Sequence, residues 1–139
     1  MSLRFGQRMT EQEAMLLNPL QLAYLGDSVW EMIVRCRLLF QSLNVRHLHE
    51  SAVRRVNAAA QAAFAGIIFS ELTEKEREIV RRGRNAHARH PVPKNQNPDD
   101  YAQATGFEAL WGYLYITGQD ERITQLARII QEQESDENG

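Results

Sequence analysis

Apolar residues recur at spacings of three and four along most of this chain, and no stretch alternates apolar and polar positions as a half-buried strand does. Leu22, Leu25, Val29 and Ile33 form one such stripe, and Ile123, Leu126, Ala127 and Ile130 form another. Helix-end signals lie between the stripes. Thr10-x-x-Glu13 is a capping box that opens a short helix through Leu17. Asn18-Pro19 reads as an N-cap followed by proline at the first helical position, and the helix it opens runs to about Phe40. Asn44 or Ser51 caps the next segment, Val45 to about Leu72, with a break near Glu50 and Ser51. Thr73-x-x-Glu76 opens a charged helix expected to end at Gly83, and Asn97-Pro98 opens one that stops near Gly118. A last helix covers about Asp120 to Gln131. The pattern predicts an all-α fold of about six or seven helices in one domain over residues 1–131, followed by a disordered acidic tail at 132–139.

Residues 84–96 break the pattern. They carry no apolar period, and Pro91 and Pro93 exclude a regular helix, so a loop that moves when unliganded is expected. Arg81, Arg82, Arg84, Arg89 and Lys94 fall within 14 residues that hold no acid. The net charge of −2 argues against a nucleic-acid partner, but residues 33–94 hold 12 Lys and Arg against 5 Asp and Glu. A basic middle is a usable phosphate surface within an acidic total, because arginine forks match phosphate oxygens. The competing reading of the same charges is an ordinary solvated helix face.

At 139 residues and 43% hydrophobic, the chain is long and apolar enough to bury a core as one domain. No apolar run approaches the length of a membrane span, and the N-terminus lacks the apolar segment of a signal peptide. Cys36 is the single cysteine, so no intramolecular disulfide forms; it is expected as a small core-facing residue. These features fit a cytoplasmic protein without a membrane partner.

The candidate chemistry lies in two carboxylates placed in apolar runs. Asp27 follows Leu22-Ala23-Tyr24-Leu25-Gly26, and Glu108 sits within Phe107-Glu108-Ala109-Leu110-Trp111. An ionised carboxylate in such company is costly unless it is paired or binds a cation. Gly26 precedes Asp27, and Gly112 lies four residues after Glu108 on the same helix face. Glycine lets backbones approach, so a close helix crossing carrying both acids is expected. The alternative is that each acid pairs with an arginine or caps another helix. Oxygen ligands favour Mg²⁺ or Mn²⁺ over zinc. His47-x-His49 and His87-x-x-His90 have no cysteine partners at zinc-site spacing.

Leu22-Ala23-Tyr24-Leu25-Gly26-Asp27-Ser28-Val29 resembles the signature helix of ribonuclease III, and Phe107-Glu108-Ala109-Leu110 resembles its second catalytic helix. Arg81-Arg82-Gly83-Arg84-Asn85-Ala86, Pro93-Lys94-Asn95, Tyr101 and the run from Ala104 to Tyr115 resemble the short Mini-ribonuclease III family over roughly residues 15–130. The resemblance implies a homodimeric Mg²⁺-dependent endonuclease for double-stranded RNA, with Mn²⁺ able to substitute. It implies trimming of the stem of the 23S ribosomal RNA precursor, with a ribosomal protein as a helper. Asp27 and Glu108 carry over as catalytic metal ligands, and Arg84, Asn85, Lys94 and Asn95 fall in the family's RNA-facing basic loop; Arg81 and Arg82, in the same basic run, are RNA-binding candidates beside them. Leu20, Ala23 and Thr105 stand where the larger enzymes have acids, losses the short family shares. Glu31 is expected to pair with Arg35 rather than support the metal site. The rival reading is a ribonuclease III-like module that dimerises and binds RNA without cutting it.

Overall fold

The computed structural model of the protein describes residues 6–41, 44–86, 92 and 94–138. Within them lie seven α-helices and no strand: α1 (Glu11–Met15), α2 (Pro19–Leu39), α3 (Val45–Val56), α4 (Ala58–Ile68), α5 (Glu74–Ala86), α6 (Pro98–Ile116) and α7 (Asp120–Asn138). No helix among the described residues is long and apolar enough to cross a membrane.

Most helix starts follow from local hydrogen bonding. Thr10 and Glu13 close the capping box of α1 reciprocally at 3.0 and 3.1 Å. Asn18 does the same for α2 with Gln21, and Thr73 pairs with Glu76 at the start of α5. Asn97 receives the Asp99 and Asp100 amides at the head of α6.

The core is built around α6, which is buried along most of its length from Ala104 to Leu114. Trp30 of α2 stacks on Trp111 at 5.5 Å between ring centroids and meets Phe107 edge-on at 4.9 Å, with Phe64 of α4 completing the cluster. The Trp30 indole N–H donates to the Arg55 carbonyl at 3.0 Å, which ties α2 to the end of α3.

The crossing of α2 and α6 is a contact of backbones. A Cβ added to Gly26 would lie 1.6 Å from the Glu108 carbonyl oxygen, and one added to Gly112 would lie 1.9 Å from that of Leu22. A second glycine pair seats α5: a Cβ on Gly83 would meet the Gly106 Cα at 2.8 Å.

Five expectations need correction. The break expected near Glu50 and Ser51 falls at Asn57, whose side chain accepts from the Ala60 amide at 2.8 Å and donates to the Val53 carbonyl at 3.0 Å. α5 does not stop at Gly83, because that glycine serves the approach to α6; Arg84 and Asn85 are therefore helical, not part of a loop. α7 continues past Gln131 into the segment read as a disordered tail, where Glu134 meets Arg55 at 3.0 Å in a largely buried ion pair. The buried face of α2 is Leu22, Ala23, Gly26, Trp30, Val34 and Leu38; Leu25, Val29 and Ile33 are only half-buried, since Gly26 and Trp30 set the rotation against α6. Cys36 is exposed rather than core-facing. The remainder of the expected loop, including His87, Arg89, His90, Pro91 and Pro93, lies outside the described residues.

The glycine crossing makes a sharp prediction. Gly26→Ala should destabilise the protein by about 3 kcal/mol or more, at the upper end for overpacking against backbone. Gly66→Ala, in α4 with nothing within 4 Å of the added carbon, should be neutral or stabilising. Urea unfolding midpoints check this, and equal midpoints for the two variants would show that the crossing relaxes.

Candidate active site

Gly26 and Gly112 bring the two acid-bearing helices together, and the carboxyls of Asp27 and Glu108 meet at that crossing. Their environments differ. Asp27 is exposed at the rim, contrary to the apolar setting expected of it, while Glu108 is half-buried. Burial pushes the Glu108 carboxyl up to about 8, and the neighbouring Asp27 adds to the shift through a shared hydrogen bond and like charge. The Gln61 amide acts in the opposite direction and favours the charged form. Among the described residues neither acid forms an ion pair. A proton or a cation must therefore offset the charge that the two carboxylates share.

The donors fit a divalent cation of the hard kind. Two carboxylates supply oxygen ligands, and no described arginine or lysine competes for them. Among the described residues no group of three or more His, Cys, Asp or Glu gathers in a metal-binding cluster, so protein ligands beyond this pair would be few. His47 and His49 form no such site. Glu31, one turn after Asp27, pairs with Arg35 at 2.7 Å, as its spacing suggests. Thr105 is buried and donates its hydroxyl to the Tyr101 carbonyl at 3.0 Å.

The basic residues divide into two groups. Arg84 and Asn85 are exposed on the last turn of α5, which Gly83 seats beside Gly106 and Ala109 on the helix that carries Glu108. Lys94 and Asn95 are exposed in the turn before α6, where Asn95 has φ of 73°. Arg81 is exposed and pairs with Glu78. Arg82 is turned inward, donating to the Met15 carbonyl at 2.9 Å and the Leu17 carbonyl at 3.3 Å, so its guanidinium closes the end of α1.

Gln61 is the site residue that the sequence reading passed over. It is the lone polar side chain in the Ala-rich face Gln61, Phe64, Ala65 and Ile68 that α4 buries. A polar residue at a core register in so apolar a helix was the available signal.

This all-α chain, with two carboxylates at a glycine-packed crossing, matches the family model described as Ribonuclease III domain over residues 20–119. The Mini-ribonuclease 3 of Symbiobacterium thermophilum is 51% identical over 79% of this chain and 85% of that protein. The Mini-ribonuclease 3 of Clostridium tetani is 36% identical over 90% of this chain and 83% of its own. A crystal structure of a Fusobacterium nucleatum protein, 27% identical, superposes with a TM-score of 0.79 over 91% of this chain and 99% of that one. The chain belongs to the Mini-ribonuclease III branch of the ribonuclease III family, a family of endoribonucleases.

Glu108 gives the metal-free protein a characteristic pH dependence. Its carboxyl ionises near 4.5 in the ordinary case and near 8 here, so the folded chain holds a proton that the unfolded chain releases across that window. Stability in EDTA should fall as pH rises from about 4.5 to about 8 and level off above it. Glu108→Gln, which removes the ionisation, should flatten this part of the curve. Urea midpoints across that range test it, and parallel curves for the two proteins would refute the assignment.

Proposed function

We propose that the protein is a divalent-metal-dependent endonuclease for double-stranded RNA that works as a homodimer. The observation that carries this reading is the convergence of Asp27 and Glu108 at the α2–α6 crossing without a described cationic partner. Asp27 and Glu108 would hold Mg²⁺ or Mn²⁺. When bound, such an ion polarises the phosphate and lowers the pKa of a water molecule. Hydrolysis breaks the bond from phosphorus to the 3′ oxygen and leaves a 5′-phosphate and a 3′-hydroxyl. Glu108, flanked by buried aromatic and aliphatic side chains, presents its carboxylate from a rigid helix, while Asp27 at the exposed rim faces the side open to RNA.

Arg84, Asn85, Lys94 and Asn95 supply an exposed polar and basic surface at the α5 and α6 ends, suited to phosphates rather than to bases. Arg81 can join them by exchanging Glu78 for a phosphate. Arg82 contributes by holding α5 against α1. The family relationship supports the stem of the 23S ribosomal RNA precursor as the natural substrate, a ribosomal protein as helper, and a cytoplasmic site of action.

Cleavage of a long duplex RNA tests the reading. Wild-type protein should cut with Mg²⁺ and not with EDTA. Asp27→Asn should lose cutting by at least about 100-fold while keeping its fold, since an exposed carboxylate is replaced by an isostere. Arg84→Ala and Lys94→Ala should weaken binding and flatten its salt dependence. Binding without cutting by folded wild-type protein in both Mg²⁺ and Mn²⁺ would favour the silent RNA-binding module.

The dimer reading rests on α2. Tyr24 (85% exposed), Met32 (64%) and, beyond the helix end, Phe40 (93%) leave large apolar side chains in solvent, and an apolar groove lined by Val29, Met32, Ile33 and Ile123 runs beside them. Asp27 lies within one turn of Tyr24, so paired subunits would set two carboxylate sites against a duplex of matching two-fold symmetry. Met32→Arg should shift the protein to monomer in sedimentation velocity with little change in its melting temperature. A wild-type monomer, or a dimer indifferent to the substitution, would remove this face from consideration.

A further inference from the structure

Gln61 is 2% exposed, and its Nε2 is buried without a hydrogen-bond partner. An unpartnered buried amide donor is destabilising, by about 1–3 kcal/mol in typical proteins, and native chains seldom carry one without a reason. Phe64, one turn further along the same buried face of α4, meets Phe107 at 6.4 Å between ring centroids, which sets Gln61 against the stretch of α6 that carries Glu108, and the Gln61 amide also favours the ionised form of that carboxyl. Its helix is otherwise Ala, Gly, Phe and Ile, so a leucine or methionine at this register would satisfy the core better.

We propose that Gln61 is a positioning residue that fixes the Glu108 carboxylate for cation binding. The inference rests on the metal-dependent reading above and adds a residue to it. An amide suits the task for a chemical reason. Its N–H₂ donates to one carboxylate oxygen and leaves the other free, and it carries no charge. An arginine or lysine in its place would neutralise Glu108 and repel the cation. Hydrogen bonds to a ligating carboxylate orient it, and their loss commonly weakens metal binding by about 10- to 100-fold.

The test is a titration of the full-length protein with Mn²⁺, following the free ion by electron paramagnetic resonance, together with melting curves in EDTA. Gln61→Met removes the amide at similar volume, and Gln61→Asn keeps an amide drawn back by one methylene. Both should bind Mn²⁺ about 10- to 100-fold more weakly than wild type. The metal-free melting temperature of Gln61→Met should be unchanged or raised, because an unpartnered donor is gone. Wild-type Mn²⁺ affinity in either folded variant overturns the assignment of Gln61 and leaves the metal reading standing. A role confined to packing would lower the metal-free melting temperature and leave the affinity intact, which also overturns it. Absence of Mn²⁺ binding by wild type, with Asp27→Asn equally silent, brings down the metal reading and this inference together.

Discussion

The contact on which the rest of the structure depends is the backbone approach of α2 to α6 at Gly26 and Gly112. Two ordinary helices keep their axes about 8–10 Å apart because side chains stand between them. Here there is no room for even a β-carbon on either glycine. The approach seats Trp30 against Trp111 and Phe107 in the aromatic core. It also carries Asp27, the residue after Gly26, to Glu108, whose own carbonyl is the atom nearest the missing β-carbon. Packing and site are thus consequences of one crossing.

The site is a place where the fold leaves electrostatics unsettled. Elsewhere the protein answers buried charge with charge. Glu76 accepts from Arg122 at 2.8 and 2.9 Å, joining α5 to α7, and Arg122 also donates to the Glu71 carbonyl at 2.7 Å. Arg55 likewise meets Glu134 at 3.0 Å. At the crossing no described arginine does this, and Glu108 holds its proton toward about 8. A carboxyl raised in this way beside a second acid is common at functional sites, because the charge that resists burial there is what a cation meets. The unequal burial of the two acids gives the pair an inner carboxyl and an accessible outer one.

Helix starts were legible because they are local. Thr10 with Glu13, Thr73 with Glu76, and Asn97 before Pro98 need only their own backbone to close, so their meaning survives in the linear chain. Gly83 shows the limit. A glycine after a charged helical run reads as a stop, but here the same residue lets α5 lie on Gly106 and the helix continues through Ala86. The distinction requires knowing what lies opposite. Likewise, Gln131 to Glu134 are good helix formers, but that propensity alone did not distinguish a helix from an acidic tail; Arg55, distant in sequence, pairs with Glu134. The break at Asn57 is local too: its side chain caps the Ala-rich helix that follows, a signal that can be read without the fold.

The amino-acid sequence by itself determined the all-α class, most helix starts, the pairing of Glu31 with Arg35, and the two acid-bearing motifs, because each rests on residues a few positions apart. The tertiary structure decided how those motifs are used. It rotated α2 so that Leu22, Gly26 and Trp30 face inward, left Asp27 at the rim and Glu108 half-buried, turned Arg82 into a structural donor, and brought Gln61 from a third helix to the carboxylates. Burial and the charge a group feels depend on every element packed around it, and no local pattern records which elements those will be.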